Sequence, residues 1–166
     1  ENFTSAIANQ DRKKRIGKTF LKSKYQRDAE YAESLAKWLQ EQDWKRFVTL
    51  TTQYTLTIPS ARRLNERFIN RLRQEVFPSA KMFWVAEPFE TKDGCHTHGV
   101  LTYNRDDIPP QADELSLLDE SYQIVSAARK KGKRYRASFT NYDKDRAAGK
   151  YCAKYLLKRY SDYDFL

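Results

Sequence analysis

The chain has 166 residues, which fits one domain with a sizeable hydrophobic core. Its 31 Lys and Arg residues outnumber its 22 Asp and Glu residues, and the resulting net charge of +9 is typical of proteins that bind nucleic acid. No stretch approaches ~18 consecutive apolar residues, which excludes a membrane-spanning helix. The two cysteines are too few for a disulfide framework, and this favours a reducing cytoplasm.

Residues 1–27 are polar and basic. Their centre carries four consecutive cations: Arg12, Lys13, Lys14 and Arg15. We predict a flexible arm, for which two roles remain open: a segment that becomes ordered on DNA, and a plain disordered tail. The remainder, 28–166, is predicted to form a single domain.

The first half of that domain shows one helical and one strand-like pattern before a second helix. Over 28–43, small and apolar residues recur at helical spacing and predict a helix. A long strand follows over 47–57, where β-branched and aromatic residues concentrate. Pro59 ends this strand, and Ser60 is the predicted N-cap of a helix that Pro78 closes.

The second half begins with a predicted hairpin. Strands over 81–87 and 95–103 are joined by a turn. A helix over 112–129, a strand over 133–142 and a final helix over 143–160 follow. This order predicts an α+β fold, a ferredoxin-like or RRM-like antiparallel sheet of four to five strands. Its helices lie mainly on one face, and an N-terminal helix is added.

Both histidines of the chain lie on the predicted third strand, at His96 and His98. Because strand side chains alternate, the two imidazoles share one face and Thr97 faces the other side. If the preceding hairpin has no bulge, the same face includes Glu87 rather than Glu90. Two imidazoles and a carboxylate suit Mn²⁺ or Mg²⁺ used with phosphates. The alternative is a pair of exposed strand histidines beside an ordinary surface glutamate.

A stripe of tyrosines and lysines follows one face of the predicted final helix. Four residues stand at i, i+3, i+4 and i+7: Tyr151, Lys154, Tyr155 and Lys158. An ammonium group favours the phenolate form of a nearby tyrosine, and a metal ion can polarise the phosphate that the phenolate attacks. The stripe therefore suggests a nucleophile for phosphodiester cleavage. The alternative is an amphipathic helix packed on the sheet, although lysine is rarely buried.

Three short motifs, taken in order, resemble those of the HUH endonucleases, in particular the rolling-circle replication initiators (Rep proteins) of small phages and plasmids. The run 47–51 (FVTLT) resembles the first motif, F-x-T-L-T. Glu87 with residues 96–98 (HTH) resembles the carboxylate and HUH metal motif. The run 151–158 (YCAKYLLK) resembles the third motif in its two-tyrosine form. One departure is Thr97, which stands where a bulky hydrophobic residue is usual.

The resemblance implies a single HUH endonuclease domain that nicks and rejoins single-stranded DNA to initiate rolling-circle replication. One divalent ion, Mn²⁺ or Mg²⁺, would lie over the scissile phosphate, held by three side chains: Glu87, His96 and His98. Tyr151 would attack the phosphorus and leave a free 3′-OH and a 5′-phosphotyrosine link. Lys154 would orient or stabilise the phosphate or the phenolate. Tyr155 would act as a second nucleophile or as a structural residue.

The implied ligand is single-stranded DNA at a replication origin, including DNA folded into a hairpin, in the cytoplasm of a bacterial host cell. A host replication helicase or polymerase would be the protein partner. Predicted DNA contacts come from basic residues: Arg12, Lys13, Lys14, Arg15, Arg134, Arg136, Lys150 and Lys158. A transposase or relaxase of the same superfamily would share this chemistry. A non-catalytic RNA-binding module would instead carry stacking aromatics on its sheet face and no metal.

Overall fold

The computed structural model describes residues 24–127, 132–145 and 162–166. The predicted arm up to residue 23 and residues 146–160 of the predicted final helix lie outside these ranges, so the division into an arm and one domain stays a prediction. The chain divides into two units, Glu1–Tyr31 and Ala32–Leu166, and the fold given below is that of the second. Within the described ranges, no helix has both the length and the apolar character needed to cross a membrane.

The described residues form the predicted α+β fold, an antiparallel sheet of five strands with three helices. The strands are β1 (Arg46–Leu50), β2 (Lys81–Pro88), β3 (Cys95–Thr102), β4 (Ala137–Asn141) and β5 (Tyr163–Phe165). The helices are α1 (Lys24–Glu41), α2 (Ile58–Glu75) and α3 (Glu114–Val125), and a short 3₁₀ helix spans Arg105–Asp107. The strand order is β4-β1-β3-β2-β5, which places the histidine strand β3 at the centre.

Helix α2 begins earlier than its sequence pattern predicts. Thr57, not Ser60, is the N-cap, and its hydroxyl oxygen accepts the backbone N–H of Ser60 at 3.3 Å. Pro59 therefore belongs to the first turn of the helix rather than to the preceding strand. The first turn tolerates proline because its backbone nitrogen has no intrahelical partner there. The predicted apolar stripe is confirmed, since Leu64 and Phe68 are fully buried.

Strand β1 is shorter than the predicted 47–57, because it ends at Leu50. Beyond it the Thr52 hydroxyl donates to the carbonyl oxygen of Tyr54 and closes a local turn. Strand β4 is likewise shorter than the predicted 133–142. The backbone there is held by a side chain, since the Gln123 amide pairs with both the N–H and the carbonyl of Tyr135. β-branched and aromatic residues indicate extended chain without distinguishing a ladder from such contacts.

The two faces of the sheet are covered differently. Helices α2 and α3 pack on one face over a core of fully buried side chains that includes Phe68, Trp84 and Tyr122. On the other face, Leu39 of α1 and Trp44 pack against a smaller cluster centred on β2 and β3. The prediction of helices mainly on one face, plus an N-terminal helix, is confirmed.

Strand β5 has no counterpart among the predicted elements. It pairs with the edge strand β2 over only three positions. Arg62 of α2 reinforces this edge with ion pairs to Asp162 at 2.7 Å and to Asp164 at 2.5 Å. A three-residue strand held by a distant arginine has too little local pattern to be predicted from sequence.

Candidate metal centre

The hairpin between β2 and β3 decides which carboxylate joins the histidines. Its pairing runs without a bulge from Lys81 opposite Thr102 to Glu87 opposite His96. Directly paired residues share a face, so the Glu87 and His96 side chains project from the same side of the sheet. Glu90 lies beyond the strand in the connecting loop. The structure thus satisfies the condition under which the sequence favours Glu87.

Three side chains converge at this end of the sheet. Oε2 of Glu87 lies 2.9 Å from Nε2 of His96 and 3.0 Å from Nε2 of His98. All three ligand atoms lie within 4.8 Å of one another. Ligands held about 2.1 Å from one ion and at right angles are about 3 Å apart, so these separations suit a shared coordination shell. The cluster could hold a divalent ion, with partly exposed Glu87 and His96 on its open side.

His98 is held in a form suited to metal binding. Burial lowers its pKa to about 4, the positive form of His96 lowers it further, and Glu87 opposes the shift. The imidazole is therefore neutral at neutral pH. Its other ring nitrogen, Nδ1, lies 3.0 Å from the hydroxyl oxygen of Thr49 on β1. We assign the Nδ1 proton to this hydrogen bond, because that tautomer leaves the Nε2 lone pair directed at the cluster.

Thr49→Val should weaken Mn²⁺ binding by about 10-fold to 100-fold, because the isosteric side chain cannot accept the Nδ1–H of His98. Thr49→Ser keeps the hydroxyl and should stay close to the unmodified protein. Calorimetric titration with Mn²⁺ measures the affinity, and thermal unfolding without metal checks that both variants fold. Equal affinity in the Val and Ser variants would show that Thr49 does not orient the imidazole.

The residues that alternate with the ligands face the core, as predicted. Cys95 is buried, and its thiol donates to the carbonyl oxygen of Leu56 at 3.1 Å. Thr97 is fully buried, and its hydroxyl has no hydrogen-bond partner within the described ranges. The unusual threonine of the H-x-H run therefore affects packing rather than the ligand set.

A cavity of about 300 Å³ adjoins the cluster. Polar side chains of three strands and a preceding loop line it: Thr49, Thr51, His96, Arg136 and Ser138. Hydroxyl and guanidinium groups of this kind commonly contact the phosphates of nucleic acids. Arg136, a predicted DNA contact, thus lies beside the cluster. The other such arginine, Arg134, forms an ion pair with Asp119 of α3.

Other predicted site residues lie outside the described ranges: Arg12, Lys13, Lys14, Arg15, Lys150, Tyr151, Lys154, Tyr155 and Lys158. The flanking chain is described on both sides of the segment with the tyrosines. Before it, β4 ends with Asn141 opposite Arg46, at the end of the sheet remote from the cluster. After it, the carbonyl oxygen of Asp162 accepts the backbone N–H of Ala86 at 2.8 Å. The chain has therefore returned to the residue next to Glu87.

Sequence comparison places this geometry in a known family. Residues 45–160 match the family model for the replication-associated protein ORF2. A search of curated proteins and a search of solved structures each found no match. The matched region covers more than half of the chain and contains the whole Glu87, His96 and His98 cluster. The family description supports a role in the initiation of replication. The chain belongs to this family of replication-associated proteins.

Proposed function

We propose that the protein is a metal-dependent endonuclease of the HUH superfamily, a rolling-circle Rep protein that nicks and joins single-stranded DNA. The observation that carries the proposal is the convergence of Glu87, His96 and His98 at the open end of one sheet face, in a chain of a replication-associated family. The adjoining cavity with Arg136 and the net charge of +9 suit a polyanionic substrate.

The three ligands would hold Mn²⁺ or Mg²⁺, which supplies positive charge to the oxygens of a scissile phosphate. The hydroxyl of Tyr151 loses its proton, and its oxygen forms a bond to phosphorus. The bond from phosphorus to the 3′ oxygen breaks, and that oxygen takes up a proton. The products are a free 3′-OH and a 5′-phosphotyrosine ester. The reverse reaction rejoins the strand without ATP, because the ester conserves the bond energy.

The lysine and the second tyrosine have separate roles in this proposal. Lys154, three residues after Tyr151, stabilises the phenolate or the attacked phosphate. Tyr155 serves as the second nucleophile that accepts the strand during transfer. Two observations support this assignment: the family match extends through residue 160, and the chain after the tyrosines returns to Ala86, beside Glu87.

The proposed substrate is single-stranded DNA at a replication origin, including a hairpin form. Its contacts would come from the basic run 12–15, from Arg134 and Arg136, and from Lys150 and Lys158. A helicase or polymerase of a bacterial host would take over the nicked strand in the cytoplasm. These partners follow from the proposed reaction, because a free 3′-OH is a primer for synthesis.

The test uses a library of single-stranded oligonucleotides with a randomised core and a label at the 3′ end. The label stays with the protein, because tyrosine bonds to the 5′-phosphate of the downstream fragment. With Mn²⁺ we expect a labelled protein band that survives denaturing electrophoresis. Tyr151→Phe should reduce this band at least about 100-fold, since it lacks the attacking oxygen. Peptide mapping identifies the modified tyrosine.

Two results would contradict the proposal. Adduct formation undiminished by EDTA would exclude the metal role. An undiminished adduct in Tyr151→Phe would assign the nucleophile to another residue.

A further inference from the structure

A second cavity, of about 370 Å³, lies at the end of the sheet remote from the metal cluster. Its lining includes cationic and aromatic side chains: Trp44, Lys45, Lys81, Tyr103, Arg105 and Phe165. We call it the far-end pocket. Lys81 pairs with Thr102, six residues along β3 from His96, so the two sites are about 20 Å apart along the strand. The far-end pocket therefore shares no residue with the cluster.

The cations of the far-end pocket are not neutralised by neighbouring carboxylates. Within the described ranges, Lys45, Lys81 and Arg105 form no ion pair, although Asp43 also lines the pocket. The ammonium group of Lys45 lies 6.0 Å from the ring centre of Tyr103, which orients it over an aromatic face. Three such cations against one acid form a site of net positive charge.

Exposed aromatic rings flank these cations. Phe165 is 47% exposed, and its ring lies 5.5 Å from that of Trp38, which is 37% exposed. The buried ring of Trp44 lies 6.4 Å from Phe165 and supports it from below. Exposed rings beside uncommitted cations are the usual elements of a site for single-stranded nucleic acid, in which bases stack and phosphates pair with cations.

We propose that the far-end pocket is a second binding site for single-stranded DNA. Lys45, Lys81 and Arg105 contact phosphates, and a base stacks on Phe165. The distance to the metal cluster corresponds to about six stacked nucleotides, so the pocket holds a part of the strand remote from the cleaved bond. The choice of DNA as the ligand rests on the proposed function, whereas binding here requires neither metal nor Tyr151.

The test measures binding of a labelled oligothymidylate of about 20 nucleotides, long enough to span both sites. Fluorescence anisotropy is recorded in EDTA, so that metal chemistry does not contribute. Lys45→Gln combined with Lys81→Gln should lower affinity about 10-fold and reduce the slope of log affinity against log salt by about 2. Phe165→Ala should lower affinity about 5-fold or more through lost stacking. Because Phe165 is half-exposed, we expect this variant to fold, and thermal unfolding verifies it.

A charge-matched control is Arg63→Gln combined with Arg67→Gln, on the more exposed side of α2. It should keep most of the affinity. An equal loss in this control would overturn the proposal, because binding would then follow overall charge. A duplex of equal length should be insensitive to Phe165→Ala, since paired bases cannot stack on the ring. Unchanged oligothymidylate binding in both pocket variants would also overturn it.

The outcome is separable from that of the proposed function. If Tyr151→Phe keeps full adduct formation while the pocket variants still lose binding, only the proposed nucleophile fails. If adduct formation behaves as expected and the pocket variants bind normally, only the second site fails.

Discussion

Glu87→Gln is expected to lower the rate of adduct formation with Mn²⁺ by at least about 100-fold. The substitution keeps the size of the side chain but removes the negative charge that lies 2.9 and 3.0 Å from the two histidines. A neutral amide is a poor ligand for a divalent ion that prefers carboxylate oxygen. Rates are measured with the labelled oligonucleotide library, and Mn²⁺ affinity is measured by calorimetry.

Two controls separate the metal role from effects on charge and folding. Glu90→Gln changes the net charge identically in the loop beyond β2, where the side chain is exposed. Thr97→Val lies between the two histidines but faces the core. Both controls should keep normal rates and Mn²⁺ affinity. If Glu87→Gln matches them in both measurements, Glu87 is not a ligand.

Gly99→Ala is expected to destabilise the fold by about 3 kcal/mol, the upper part of the usual range for overpacking. A Cβ at this position of β3 would lie 2.6 Å from the carbonyl oxygen of Phe83 and 2.8 Å from the terminal methyl of Met82. The Met82 side chain can move, but the Phe83 carbonyl belongs to the neighbouring strand β2. Relief of the clash therefore requires the two strands that carry the metal ligands to separate.

Gly132→Ala is the matched comparison, because its Cβ would meet no atom within 4 Å. Gly132 has a positive φ of 60°, so alanine there should cost only about 1 kcal/mol of backbone strain. Urea denaturation measures both values. Gly99→Ala should also weaken Mn²⁺ binding, whereas Gly132→Ala should not. Equal destabilisation in the two variants would contradict the steric explanation.

Local patterns in the sequence were sufficient for the parts of the fold that depend on periodicity. The buried stripe of α2 and the shared face of His96 and His98 follow from helical and strand spacing alone. The prediction was wrong at element ends, as the N-cap at Thr57 and the end of β1 at Leu50 show. These ends depend on hydrogen bonds whose partners compete closely in energy, and residue type does not resolve that competition.

The α+β class, the histidine face and the preference for Glu87 could all be predicted from the sequence, because alternation along a strand is a local property. Three-dimensional contacts were needed to show that the hairpin lacks a bulge and that Thr49 meets His98 across β1 and β3. The folded chain also brings Lys45 and Phe165 to one pocket from opposite ends of the domain. Such contacts arise from the pairing of distant segments, which local residue preferences do not encode.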